Sequence, residues 1–335
     1  MPASHVAYGL CLTANLPIPG LPLRPDVQTT DVQIWLGEPA VFPIQNANSL
    51  EFIYTSPDRV GWESPCLRVA VDPSGEYFAF LYHDGARFAV DRHGREVWGD
   101  WPQGYTVEDA CTYLLGPVMG LVLRLRGIHC LHASGIVLDN GAIALAGPPG
   151  AGKSTLAAAF GRSGFPVLSD DIVALKEDDG RFFVQPGYPR VNLWPESVRM
   201  LFGFENALSR ITPTWDKRYL ALDEKGCRFA TEPSLLRVIY ILGEREPCAG
   251  EVVIEELADS EAFMALVANS YSNYLLDRDM RSREFAVLGR LFAGVPVRRI
   301  RPTTDPADIP TLCEAIAGDS MRLTAEEPLT TPHYR

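Results

Sequence analysis

The run Gly147-Pro148-Pro149-Gly150-Ala151-Gly152-Lys153-Ser154-Thr155 constrains this chain more than any other feature, because it satisfies the pattern G-x-x-x-x-G-K-[ST] in full. From average residue usage, a chain of this length meets that pattern by chance in about one case in a hundred. An apolar run at 142–146 precedes the loop, and an alanine-rich stretch follows it, so the reading is strand, loop, helix. That order has a physical purpose. Glycines let the backbone curl until successive N–H groups point inward, with the positive end of a helix dipole behind them, and the concavity this makes suits a polyphosphate. Pro148 and Pro149 have no N–H, so the donors are expected from Gly150, Ala151, Gly152, Lys153, Ser154 and Thr155, with Gly147 at the entry. Lys153 adds a cation, and Ser154 offers a hydroxyl to Mg²⁺. The expected ligand is therefore ATP with Mg²⁺.

A nucleotide site of this kind needs a carboxylate at the metal and, for transfer to an alcohol, a base. Asp170 and Asp171 follow a strand expected at 165–169 and, as a pair, are placed to supply both. Neighbouring strand residues face opposite ways, so both can serve only if the strand ends there. His132, on a strand expected at 131–138, is a further candidate, with His129 behind it. The two do not make a zinc site, because no third ligand is apparent.

At 335 residues the chain is long enough for one large or two moderate domains. Residues 1–104 read as a β-rich N-terminal domain: short alternating runs at 32–36, 67–71, 77–82 and 87–90, with turns at Asp84-Gly85 and His93-Gly94. Thr106, with Glu108 and Asp109 after it, caps a helix expected to run unbroken to about Arg126, where Gly127 stops it; residues 105–127 bridge the two halves. Residues 128–319 alternate helical and strand-like segments, an α/β domain around the loop. Residues 320–335 read as a loose tail.

The chain carries 42 acidic and 30 basic residues, a formal charge of -12, which argues against nucleic acid or an anionic membrane surface as partner. Its longest uncharged apolar run, residues 110–123, is shorter than the roughly 20 residues a spanning helix needs, and the N-terminus shows no secretory signal. Seven scattered cysteines with no C-x-x-C pair fit reduced thiols in a cytoplasmic protein.

In order, His132, the loop, the helix ending near Gly164 and the run Asp170-Asp171-Ile172-Val173 resemble the C-terminal kinase domain of the HPr kinase/phosphorylase family, whose fold is related to phosphoenolpyruvate carboxykinase. The resemblance covers about forty residues. It implies an α/β P-loop kinase domain in which Asp171 is the general base, Lys153 contacts the γ-phosphate, Ser154 and Asp170 hold magnesium, and His132 is an auxiliary polar group. The family also places a phosphate-contacting arginine further on. Arg190, Lys217 and Arg218 are the candidates, and Arg218 is the one chosen. Where the family has R-G-L-G-I, this chain has Tyr188-Pro189-Arg190-Val191-Asn192-Leu193-Trp194, so HPr as substrate and the reverse phosphorylase reaction are not carried over.

In layout the chain is more similar to HPr-kinase-like proteins of ribosomal peptide pathways, some of which phosphorylate a serine of a lasso-peptide precursor. The resemblance thus implies a serine or other hydroxyl of a peptide or small protein as acceptor, and a homo-oligomer as a possible assembly. A small-molecule or carboxykinase-like phosphotransferase and a non-catalytic ATP-binding regulatory protein are the alternatives.

Overall fold

The computed structural model describes residues 2–37, 42–44, 49–58, 65–243, 252–302 and 305–326. It is a mixed α/β structure built on two large sheets. The first contains β1 (Ala3–Ala7), β2 (Leu10–Ala14), β3 (Val32–Leu36), β4 (Glu51–Thr55), β5 (Leu67–Val71), β6 (Tyr77–Tyr82), β7 (Arg87–Asp91) and β8 (Glu96–Asp100), in the order β1-β2-β3-β8-β7-β6-β5-β4. Period-two burial drives it: Val32, Ile34 and Leu36 turn inward from β3 while Trp35 faces out. The hairpin expected at Asp84-Gly85 joins β6 to β7.

Two helical pieces pack under this sheet, α1 (Val107–Tyr113) and α2 (Met119–Leu125). Thr106 and Asp109 form a reciprocal capping box at the start of α1. The expected unbroken helix is in fact interrupted. Residues 114–118 form a π turn in which Gly116 leaves the helical region (φ -106°, ψ -111°) just before Pro117, whose missing N–H removes an intrahelical bond. The apolar faces of α1 and α2 share one core with the first sheet and with Ile172, Tyr188 and Tyr271 from the second half of the chain.

The second sheet begins with β9 (His129–Leu138) and β10 (Gly141–Ala146), followed by α3 (Lys153–Arg162), β11 (Val167–Ser169), β12 (Ile172–Asp178) and β13 (Arg181–Val184). A two-stranded ribbon, β14 (Arg190–Leu193) and β15 (Arg218–Ala221), flanks α4 (Pro195–Phe202). Then come β16 (Ser234–Leu242), β17 (Val253–Glu256), α5 (Asp259–Ala268), α6 (Arg278–Gly294), β18 (Val297–Arg301) and α7 (Ile309–Glu326). Strand β10 lies antiparallel to β9 and parallel to β16, and β16 is parallel to β18. The alternation along β10 sets the layers. Ile143 and Leu145 pack with α3 and α7, while Ala142, Ala144 and Ala146 share a core with α5 and α6. Phe160 of α3 is fully buried in that packing, a contribution of about 1.5–3 kcal/mol for a side chain of its size.

Residues 320–326, expected to be loose, continue α7 instead. Asp319 explains the extension: it accepts from the Tyr240 hydroxyl at 2.9 Å and pairs with Arg298 at 3.1 Å, anchoring the helix where the tail was expected to begin. Residues 327–335 lie outside the described residues. Among the described residues, no helix is long and apolar enough to cross a membrane, and six cysteines are free; Cys248 lies outside them.

Candidate active site

The loop leaves the carboxyl end of β10 and enters α3 through Gly152, which adopts φ +104°, a conformation glycine takes without strain. No side chain caps the first turn of α3, so its N–H groups point into the loop's concavity. Lys153 folds back over the loop, donating from Nζ to the carbonyls of Gly147 (2.8 Å) and Pro148 (3.2 Å). Burial pushes its pKa below the ordinary lysine value. An anion bound in the loop would compensate this cation better than two carbonyls do.

Asp170 and Asp171 line one cleft of about 690 Å³ together with Ser154 and His132. Strand parity alone would send the two carboxylates to opposite faces. Two features bring them together: β11 ends at Ser169, and Asp171 adopts a left-handed φ of +71°. Aspartate tolerates that region better than most residues, at a cost on the order of 1 kcal/mol.

The environments of the two carboxylates differ. Asp170 is 4% exposed and accepts from Ser134 Oγ (2.7 Å) and the Asn192 N–H (3.0 Å). Burial raises its pKa above the usual carboxylate range, against the pull of Ser134, Asn192 and the nearby Ser154 hydroxyl. The Asp171 side chain is 41% exposed; its Oδ2 accepts from the Tyr271 hydroxyl (2.8 Å), and its Oδ1 lies 3.4 Å from His132 Nε2. Burial holds the His132 pKa below its ordinary value, so the ring is neutral near pH 7. Burial first, and then Asp171, raises the Tyr271 pKa, so its hydroxyl remains a donor.

Mg²⁺ fits this donor set. A buried carboxylate beside a serine hydroxyl supplies two hard oxygens, and this ion takes its other ligands from phosphate and water. Among the described residues, no group of three or more His, Cys, Asp or Glu gathers into a metal cage.

Of the basic candidates, Arg190 and Lys217 line the cleft and Arg218 does not. Arg218 is 4% exposed and spends its guanidinium on Asp216 (2.6 Å to the carbonyl, 3.1 Å to the carboxylate) and on Asn206 Oδ1 (3.0 Å). It braces the turn before β15 and, unlike Arg190 and Lys217, does not face the cleft. His129 is also structural: its ring contacts Glu284 at 2.6 Å.

Sequence reading missed residues 269–272. Asn269 Oδ1 accepts from the Gly147 N–H (2.8 Å), pinning the loop entry, while its carbonyl accepts from the His132 N–H (2.7 Å). Tyr271 reaches Asp171. The segment is held from behind by Arg124, which pairs with Glu284 and donates to Ser270 Oγ (2.6 Å) and the Tyr271 carbonyl (3.0 Å). Burial alone would raise the Glu284 pKa, but His129 and Arg124 hold it below the ordinary value. The polar run Asn269-Ser270-Tyr271-Ser272 between two helical patterns is the signal that could have drawn attention to it.

Beyond the carboxylates the cleft opens toward the first sheet. There Tyr82 stacks on Tyr113 (centroids 3.7 Å apart) and Tyr54 on Tyr274 (4.1 Å), with Trp215 beside Tyr113. Tyr54 and Tyr82 come from β4 and β6, so the two halves of the chain wall the cleft jointly.

No protein-family model matches the chain, and comparison with curated proteins finds no match. Among solved structures it is similar to the Hpr(Ser) kinase/phosphatase from Coxiella burnetii, at 16% identity over 59% of this chain and 99% of that one, with a TM-score of 0.28. A likeness at that level carries no weight for fold or activity, and both rest on the chain's own geometry.

Proposed function

We propose that this chain is an ATP- and Mg²⁺-dependent phosphotransferase, moving the γ-phosphate to a serine or other hydroxyl of a peptide or small protein. One observation carries the reading: the end of a glycine-rich loop, at Ser154, and a positioned carboxylate, Asp171, face the same cleft. Phosphoryl transfer asks little else of a protein, because catalysis is mostly placement and neutralisation of charge.

The loop N–H groups and Lys153 bind the phosphates, Lys153 exchanging its two carbonyl partners for phosphate oxygens. Ser154 and Asp170 would hold magnesium, which when bound would offset charge on the transferring group. Asp171 accepts the proton of the acceptor hydroxyl at Oδ1 or Oδ2. Tyr271 and His132 fix its orientation. The aromatic outer cleft gives the acceptor an apolar surface.

The test is Asp171→Asn, measured with a pool of serine-containing peptides. Binding of Mg-ATP is expected to persist while phosphate transfer falls by about 10²- to 10⁴-fold. Normal turnover in that variant would remove Asp171 from the mechanism.

A further inference from the structure

The hairpin joining β1 to β2 turns through Tyr8 and Gly9, both left-handed (φ +58° and +78°). Asparagine, aspartate and glycine suit the first position of such a turn, whereas an aromatic residue there is strained. Tyr8 is also 1% exposed, and among the described residues its buried hydroxyl has no hydrogen-bond partner. Packing alone would favour phenylalanine, because an unpaired buried hydroxyl is a cost. We infer that Tyr8, by its ring and its unpartnered hydroxyl, is a positioning residue through which the first sheet sets the Asp170-Asp171 turn. The inference rests on the phosphotransferase reading above and adds a residue to it.

Contacts lead from the hairpin to the turn. The Tyr8 N–H donates to the Pro186 carbonyl at 2.7 Å, and the Gly187 N–H donates to the Leu168 carbonyl at 2.8 Å, so residues 186–187 tie the hairpin to β11. Space requires glycine at 187: a Cβ there would stand 3.1 Å from Tyr8 Cε1 and closer still to Ser169 Oγ. Ser169 Oγ in turn donates to the Ile172 carbonyl, spanning the turn that the two aspartates form. The Tyr8 ring meets Tyr188 edge to face, with centroids 6.5 Å apart, and shares a core with Ile172 and Tyr271. Tyr8 lines no part of the cleft, so it acts through these neighbours and not on substrate. The hydroxyl adds a dipole. Burial first, then Tyr188 and Asp171, raise its pKa, so it stays protonated. With no fixed partner, its proton is free to rotate toward the negative charge of the carboxylates, and in a dry interior that dipole helps hold them in place.

Tyr8→Phe keeps the ring and deletes only the hydroxyl. Its thermal transition is expected at or above that of the wild type, because the orphan group is gone. With a serine-peptide pool, kcat should fall about tenfold, less than the roughly 10²- to 10³-fold lost with a donor that touches the reacting atoms, while KM for ATP and Mg-ATP affinity stay within about twofold. A purely structural tyrosine would not give a chain that is slower yet no less stable. Unchanged kcat, or a fall that tracks lost stability or lost ATP affinity, overturns the positioning role and leaves the phosphotransferase reading standing. Absence of phosphate transfer by the wild-type chain overturns both.

Discussion

Replacing Gly120 by alanine should damage turnover without touching nucleotide binding. Gly120 lies on α2 where the Tyr271 ring packs against the helix, and a Cβ there would stand 2.7 Å from Tyr271 Cδ1 and closer still to Cε1, with Ser272 Oγ at 2.9 Å. Ordinary contact begins at 3.4 Å, so the ring must move by about 0.7 Å or more. Its hydroxyl donates to Asp171 at 2.8 Å, and a displacement of that size takes it past the roughly 3.0 Å limit of a good O–H···O bond. Overpacking of this kind costs about 1–3 kcal/mol, partly offset by the roughly 0.5–1 kcal/mol that alanine gains over glycine inside a helix. The fall in melting temperature should therefore be small. Misplacing Asp171 by a comparable distance costs on the order of 10²-fold in rate. The assay is ADP release with a serine-peptide pool, alongside calorimetry of Mg-ATP. A variant with wild-type turnover would refute the claim that Tyr271 positions the base, and a variant that loses ATP affinity in parallel would show that the damage spreads to the loop.

Glu284→Gln leaves Arg124 buried without its anionic partner and should cost about 3–5 kcal/mol of stability, read by chemical denaturation. Because the folded pKa of Glu284 is lowered, the stability it supplies is present above the unfolded value and lost as pH falls through the folded one; the wild-type chain should show that acid loss and the variant should not. Asp170 has the opposite sign. Its folded pKa is raised, so its burial penalty is absent below the ordinary carboxylate value and complete above the raised one. The thermal stabilisation given by Mg-ATP, which needs the ionised form, should accordingly grow as pH rises through that window. In Asp170→Asn it should be small and flat.

What sequence reading could reach followed the range of the interactions involved. Strand β10, the loop and α3 are contiguous and carry their own chemistry, so their order was legible from the glycines, Lys153 and the apolar flanks. The capping box at Thr106 was equally local. The break at Gly116-Pro117 was present in the letters, but an otherwise unbroken apolar run concealed it. Strand parity could not say whether Asp170 and Asp171 share a face, because the answer depends on one left-handed residue that only the folded surroundings select. Tyr271 lies a hundred residues from the aspartate it contacts, and the polar run around it does not say which carboxylate it meets. Arg218 looked as suitable as Arg190 or Lys217 in sequence, since which of three nearby cations faces a cleft is decided by the ribbon that carries them. The helical residues 320–326 read as polar tail because their anchors, Tyr240 and Arg298, belong to other strands.

Titration calorimetry of Mg-ATP into the wild-type chain and into Lys153→Ala is the most direct test of a polyphosphate cradle closed by a lysine. Saturable binding that the substitution weakens by at least tenfold is the predicted result. Heat indistinguishable from dilution in the wild-type chain, or equal affinity in the two proteins, would contradict it.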